Sequence, residues 1–138
     1  MSESEKLLEK LLEQVKIATK FDYAASLLEW DQQTKMPDGG ADGRAEIFAA
    51  VKTEGFKLFT SDEIGEILKK LMRMEEKLDR NRQVLIKRIN AMYQRSKAIP
   101  PDLFREFSEA KSKSYTIWVK AREKSDFTLF QPALEKII

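Results

Sequence analysis

Chemistry in this chain has to come from carboxylates, ammonium and guanidinium groups, amides and hydroxyls, because none of its 138 residues is histidine or cysteine. That excludes thiolate nucleophiles, disulfides, an imidazole acid–base catalyst, a Ser-His-Asp triad and an ordinary zinc site. The most specific local pattern left is Trp30-Asp31 followed, across a Pro-Gly break, by Arg44. The loop from Pro37 to Gly43 suits the lining of a substrate groove. Asp31 and Arg44 also suit an ion pair that fixes the angle between two helices, with Trp30 packed below. The second use is favoured, because ion pairs beside buried aromatics usually hold architecture.

Other patterns are weaker. Arg80, Arg82, Lys87, Arg88, Arg95 and Lys97 make the stretch 80–97 basic, and Arg80, Arg88 and Arg95 fall near one helical face. Nucleic acid would need such a stripe. No exposed aromatic is interleaved and Glu75 and Glu76 lie close by, so a solvated face is expected and a weak nucleic-acid binder is only the third reading. Glu3, Glu5, Glu9 and Glu13 cluster, but nothing encloses two of them as acid–base catalysis requires. Ion pairs along the helix with Lys6, Lys10 and Lys16 are expected, worth a few tenths of a kcal/mol each, or about 0.2–0.5. The glycines between Asp38 and Gly43 match neither a P-loop nor a dinucleotide fingerprint, and no Asp-rich loop for calcium appears. No residue is assigned a catalytic, cofactor-binding or metal-binding role.

The elements that would position these groups are helices. Hydrophobic residues make up 42% and charged residues 35%, with a net charge of +2, too even to announce a nucleic-acid or membrane partner. Gly and Pro are scarce, and no run alternates with period two, so the fold expected is all-α: one helical region over 1–138, with about five helices, a long first one and a truncated sixth. The first runs from about Ser4, its cap, to Met36, before Pro37. From Ile17 to Trp30 it is apolar nearly all round, which predicts cover on every side. The second runs from Gly43 to Phe59 with Ile47, Phe48, Val51, Leu58 and Phe59 inward. Thr60 and Glu63 have capping-box spacing and open a third through Ile64, Ile67, Leu68 and Leu71. After a charged connector, a fourth reaches Lys97 with Leu85, Ile89, Met92 and Tyr93 inward. Pro101 opens a fifth carrying Leu103, Phe107, Ala110, Ser114, Ile117, Trp118 and Ala121. Ser125 and Asp126 break it, and a last helix opens near Pro132.

No stretch is apolar enough to span a membrane and the N-terminus has no apolar core, so a cytoplasmic location is expected. A straight first helix of roughly 50 Å would overhang a compact domain of this length. The final segment from Phe127 to Ile138 is apolar. Both features lead us to expect a homo-oligomer, or a missing C-terminal region that covers these groups.

The residues Leu27 to Glu46, LLEWDQQTKMPDGGADGRAE, resemble the carboxypeptidase Taq family of thermostable metallocarboxypeptidases. Thr60 to Leu71, Tyr93 to Ala110 and Trp118 to Ile138 resemble the same family in the same order. The resemblance implies a mostly helical parent, several times longer, that removes C-terminal residues from peptides. Its zinc sits on a His-Glu-x-x-His helix and a downstream Glu. With no histidine here, none of those roles transfers. The resemblance makes this chain an N-terminal, non-catalytic wall or lid of the substrate groove, with no cofactor of its own. The alternative is a free-standing helical module that self-associates. The purified chain is expected to hold no stoichiometric zinc and to release no amino acids from peptide C-termini; elemental analysis and a C-terminal hydrolysis assay on repurified protein check both.

Overall fold

The computed structural model describes residues 1–138 as six α-helices: α1 (Glu3–Thr34), α2 (Ala41–Phe59), α3 (Asp62–Arg73), α4 (Arg80–Lys97), α5 (Pro101–Glu123) and α6 (Gln131–Ile137). Single 3-10 turns at Asp38–Gly40, Glu75–Lys77 and Phe127–Leu129 lie in three of the five connections, and there is no strand. The chain divides into two compact units: residues 1–20 with 54–100, and residues 21–53 with 101–138. No helix is long and apolar enough to cross a membrane.

Helix ends follow local hydrogen-bond chemistry. α1 is capped by Ser2 rather than by Ser4. The Ser2 hydroxyl accepts from the Glu5 amide at 3.2 Å, and the Glu5 carboxylate accepts from the Ser2 amide at 2.9 Å, a reciprocal capping box. Those bonds, with Arg82 beside them, hold the Glu5 carboxyl below its ordinary range. α3 is capped by Ser61, whose hydroxyl accepts from the Ile64 amide at 3.3 Å. Thr60 is not the cap because it is bonded back to the end of α2: its amide and its hydroxyl both donate to the Phe56 carbonyl. α5 ends in a Schellman motif. Asp126 N–H donates to Ala121 O at 2.9 Å and Ser125 N–H to Arg122 O at 3.1 Å. Ser125 takes the left-handed conformation that this motif demands, at φ 50°.

The first unit has a continuous core. Leu8 and Leu11 of α1, Ile64, Ile67, Leu68 and Leu71 of α3, Leu78, and Ile86, Ile89 and Tyr93 of α4 are buried together. All four expected α3 residues are among them. In α4 the inward face is Ile86, Ile89 and Tyr93, while Leu85 and Met92 point to solvent. Each buried aliphatic side chain contributes about 1.5–3 kcal/mol. The expected ion pairs along α1 do not form. Lys10 instead reaches Glu63 of α3 at 2.8 Å, and Glu5 reaches Arg82 of α4 at 3.2 Å. At the far end Lys97 donates to Thr60 O at 2.9 Å and pairs with Asp62 at 3.0 Å.

The second unit packs on small residues. Ala25 of α1, Ala45 and Ala49 of α2, and Ser108, Ser112, Ser114 and Ala121 of α5 are buried, with Phe48 the one large member. The buried Ser108 and Ser114 hydroxyls are satisfied by the Phe104 and Lys111 carbonyls of their own helix, at 2.8 and 2.7 Å. Large apolar residues stand outward here: Ile47 on α2, against the expectation that it faces inward, and Leu103 and Phe107 on α5, with Ile117 and Trp118 partly exposed. The cover expected all round α1 is likewise missing, since Tyr23, Leu27 and Trp30 are exposed. The reason is geometric. Buried Ala and Ser let helices meet with little side-chain volume between them, and the larger side chains of the same helices lie on other faces.

Gly65 of α3 marks another close approach. A Cβ built there would stand 2.9 Å from Cζ of Tyr93 and collide with its hydroxyl. That hydroxyl donates to Ser61 O at 3.2 Å, and the ring meets Phe59 edge-on with centroids 6.4 Å apart. Gly65→Ala should therefore destabilise by about 1–3 kcal/mol despite Ala's better helix propensity. Gly43→Ala, with open space around it, should be neutral or stabilising by about 0.5–1 kcal/mol. Urea unfolding of the two variants, read by circular dichroism, separates these outcomes.

Candidate functional site

The second unit combines polar chemistry with a cleft walled by aromatic rings; a wider, more open depression of about 420 Å³ lies in the first unit beside Glu5, Glu9 and Arg82. Lys52 of α2 pairs with Asp22 of α1 at 2.8 Å, and Arg44 of α2 pairs with Asp31 of α1 at 2.8 Å. Residues 22 and 52, then 31 and 44, run in opposite senses, so α1 and α2 form an antiparallel hairpin clamped at both ends. Arg44 also donates to the Leu28 carbonyl at 3.0 Å, and its side chain is only 20% exposed. The Asp31–Arg44 pair expected from the sequence is thus present, and its geometry is architectural. Trp30 does not pack beneath it: the indole faces water. The loop between them forms a 3-10 turn, Asp38–Gly40, with none of its residues buried.

Gln32 of α1 ties α5 to this hairpin. Its amide nitrogen donates to the Ser112 carbonyl at 3.0 Å, and its amide oxygen accepts from the Ser112 hydroxyl at 3.2 Å. The same nitrogen lies 3.4 Å from the Thr116 hydroxyl. Both polar ends of a partly buried carboxamide are thereby satisfied.

Beside this clasp opens a cleft of about 190 Å³. Its walls are the rings of Phe48, Tyr115, Trp118 and Phe130, and its polar edge is Glu29, Gln33 and Lys111. Tyr115 and Trp118 lie with centroids 6.0 Å apart, and the Arg122 guanidinium sits 5.0 Å over the Trp118 ring. The volume falls below the roughly 300–1,000 Å³ of ordinary small-molecule pockets and suits a single side chain. One carboxylate without a second beside it cannot divide acid and base roles. The sequence reading missed this cleft because its lining comes from four separated segments, with no local spacing to reveal it.

The basic helix α4 separates into two sets. Arg82 pairs with Glu5 and Asp79, Lys87 with Glu75, and Lys97 with Asp62. Arg80, Arg88 and Arg95, the three expected on one face, form no ion pair. Elsewhere Glu109 and Lys113 of α5 pair at 2.7 Å, which lowers the Glu109 carboxyl and raises the Lys113 ammonium.

This helical array and its sequence define the class. A family model described as carboxypeptidase Taq (M32) metallopeptidase matches residues 10–138, and the chain belongs to that family. Carboxypeptidase 1 of Bacillus subtilis (strain 168) is 32% identical over 124 residues, which span 90% of this chain and 25% of that protein. Thermostable carboxypeptidase 1 of Pyrococcus furiosus is 28% identical over 116 residues, 84% of this chain and 23% of that one. The crystal structure of BsuCP superposes with a TM-score of 0.89 at 29% identity, over 95% of this chain and 26% of its own. The chain therefore spans about a quarter of the length of the relatives it matches. The side chains present do not fit a metallopeptidase's metal: imidazole and thiolate are absent, and no three carboxylates converge.

If Asp31 and Arg44 hold the hairpin, Arg44→Met should destabilise by about 1–2 kcal/mol, much of it from the Leu28 carbonyl left without its charged donor. Asp31→Asn should do less, and the coupling in a double-mutant cycle should stay below about 1 kcal/mol, since Asp31 is 40% exposed. Thermal or urea denaturation of the four proteins measures it.

Proposed function

We propose that this chain serves as the N-terminal, non-catalytic helical wall of an M32-type zinc carboxypeptidase, in the cytoplasm. It shapes the approach to a site whose metal and acid–base groups belong to other parts of the enzyme. One observation carries this reading: nearly the whole chain aligns with the family, yet it corresponds to only about a quarter of each relative. The side-chain inventory supports it, because the family's histidine-based chemistry has no counterpart among these residues. Removal of C-terminal residues from peptides is then the work of the assembled enzyme. The wall contributes shape, the aromatic cleft beside Gln32, and rigidity from the clamped hairpin.

A graft tests this reading. The matching region of Bacillus subtilis carboxypeptidase 1 is replaced by this chain, and hydrolysis of a peptide's C-terminal residue is followed. The graft should retain kcat/KM within about tenfold of the parent, a loss of no more than about 1.4 kcal/mol in transition-state stabilisation. The isolated chain should show none. A graft that folds and loads metal but falls more than about a thousandfold in kcat/KM, roughly 4 kcal/mol, would overturn the reading.

A further inference from the structure

Three large side chains on the late part of α1 stand in water. Tyr23 is 70% exposed, Leu27 55% and Trp30 62%. Spacing of i, i+4 and i+7 places them on one stripe of the helix. The opposite side is already occupied: Ala25 is buried, the Leu28 carbonyl binds Arg44, and Gln32 binds Ser112. The Trp30 indole N–H and the Tyr23 hydroxyl have no hydrogen-bond partner in the protein, although both groups usually find one when covered. The two rings alone leave on the order of 250 Å² in water. With Leu27 added, the stripe approaches the largest patch on an ordinary monomer, about 300–600 Å² and commonly an interaction site.

We infer that this stripe is the seat of the remainder of an M32 chain, the catalytic portion that accompanies these helices in the relatives. The inference rests on the functional reading above and goes further by naming the surface and its anchors. Length argues for this occupant. BsuCP superposes its helices on 95% of this chain using 26% of its own, so nearly three-quarters of that protein is available to cover faces that are open here. Composition argues for it as well. Tyr23, Leu27 and Trp30 are large and uncharged, the make-up of a permanent interface rather than a transient one. The catalytic portion then supplies acceptors for the indole N–H and the phenol, and apolar side chains for Leu27.

Hydroxyl-radical footprinting read by mass spectrometry tests the seat. It is run on the isolated chain across a dilution series and on the graft described above. Tyr23, Leu27 and Trp30 should be oxidised in the isolated chain at every concentration and should lose that reactivity in the graft. Equal reactivity in an active graft would overturn the inference while leaving the functional reading intact; an inactive graft counts against the reading itself. Protection in the isolated chain that disappears on dilution would assign the stripe to a second copy of the chain and would also overturn it. Should the graft not fold, the chain is co-expressed with the part of the Bacillus subtilis enzyme beyond the matched region. The two should co-purify, and Leu27→Glu should reduce the co-purified chain at least about tenfold, the effect of one central apolar anchor. No co-purification, or co-purification that Leu27→Glu leaves unchanged, would overturn the proposal. Circular dichroism of the isolated Leu27→Glu chain should match the parent, because the substituted side chain lies in water.

Discussion

The second unit depends on one constraint: the faces through which its helices meet are made of alanine and serine. Ala25, Ala45, Ala49, Ser108, Ser112 and Ala121 let backbones approach, and the serine hydroxyls bond to nearby carbonyls or to Gln32 instead of demanding water. Close approach gains dispersion contacts but buries little apolar area per residue. The larger apolar side chains of the same helices lie on other faces. The exposed Tyr23, Leu27 and Trp30, and the outward Leu103 and Phe107, follow from the same choice of small residues that makes the packing possible. The ion pairs clamping α1 to α2 matter in this setting, because a hairpin packed on alanine can slide where one packed on leucine is locked by shape.

The first unit solves the problem the other way. Its core is leucine and isoleucine, and its specificity comes from how large groups interlock. Gly65 is the exception, and it exists because Tyr93 lies across it.

This contrast explains how much was legible in the sequence. α3 could be read residue by residue, because Ile64, Ile67, Leu68 and Leu71 form a single apolar stripe on an otherwise charged helix. α1, α2 and α5 carry apolar residues at many angles, and choosing the large ones as inward picked the wrong face at Ile47. Periodicity weighs a leucine above an alanine, whereas close helix packing reverses that order. The same bias hid Ile86 behind its neighbour Leu85. Asp31 and Arg44 could be paired because a Pro-Gly break must bring flanking helices together. The Gln32–Ser112 clasp could not be anticipated, since 80 positions separate its partners. Capping was decided by single hydroxyls: Thr60 and Ser61 are adjacent and chemically alike, and only the backbone shows which one is bonded back to α2. Family membership was legible from the order of four stretches, and the comparisons bear it out over residues 10–138.

The reach of that clasp sets an order of events as the chain folds. α3 and α4 are joined by a short connector with one 3-10 turn, so Ile67 and Ile86 need close only a small loop. Gln32 must wait for Ser112, and closing the longer loop costs about 0.6 kcal/mol more for each doubling of length. Contacts near in sequence form fastest, so the α3–α4 pair is the natural nucleus. On the ribosome the alanine faces of α1 and α2 emerge long before α5 can cover them. Until Ser112 arrives, the pairs Asp22–Lys52 and Asp31–Arg44 are cross-links the hairpin can make by itself, each worth at most about 1 kcal/mol, so it emerges with little to fix its register.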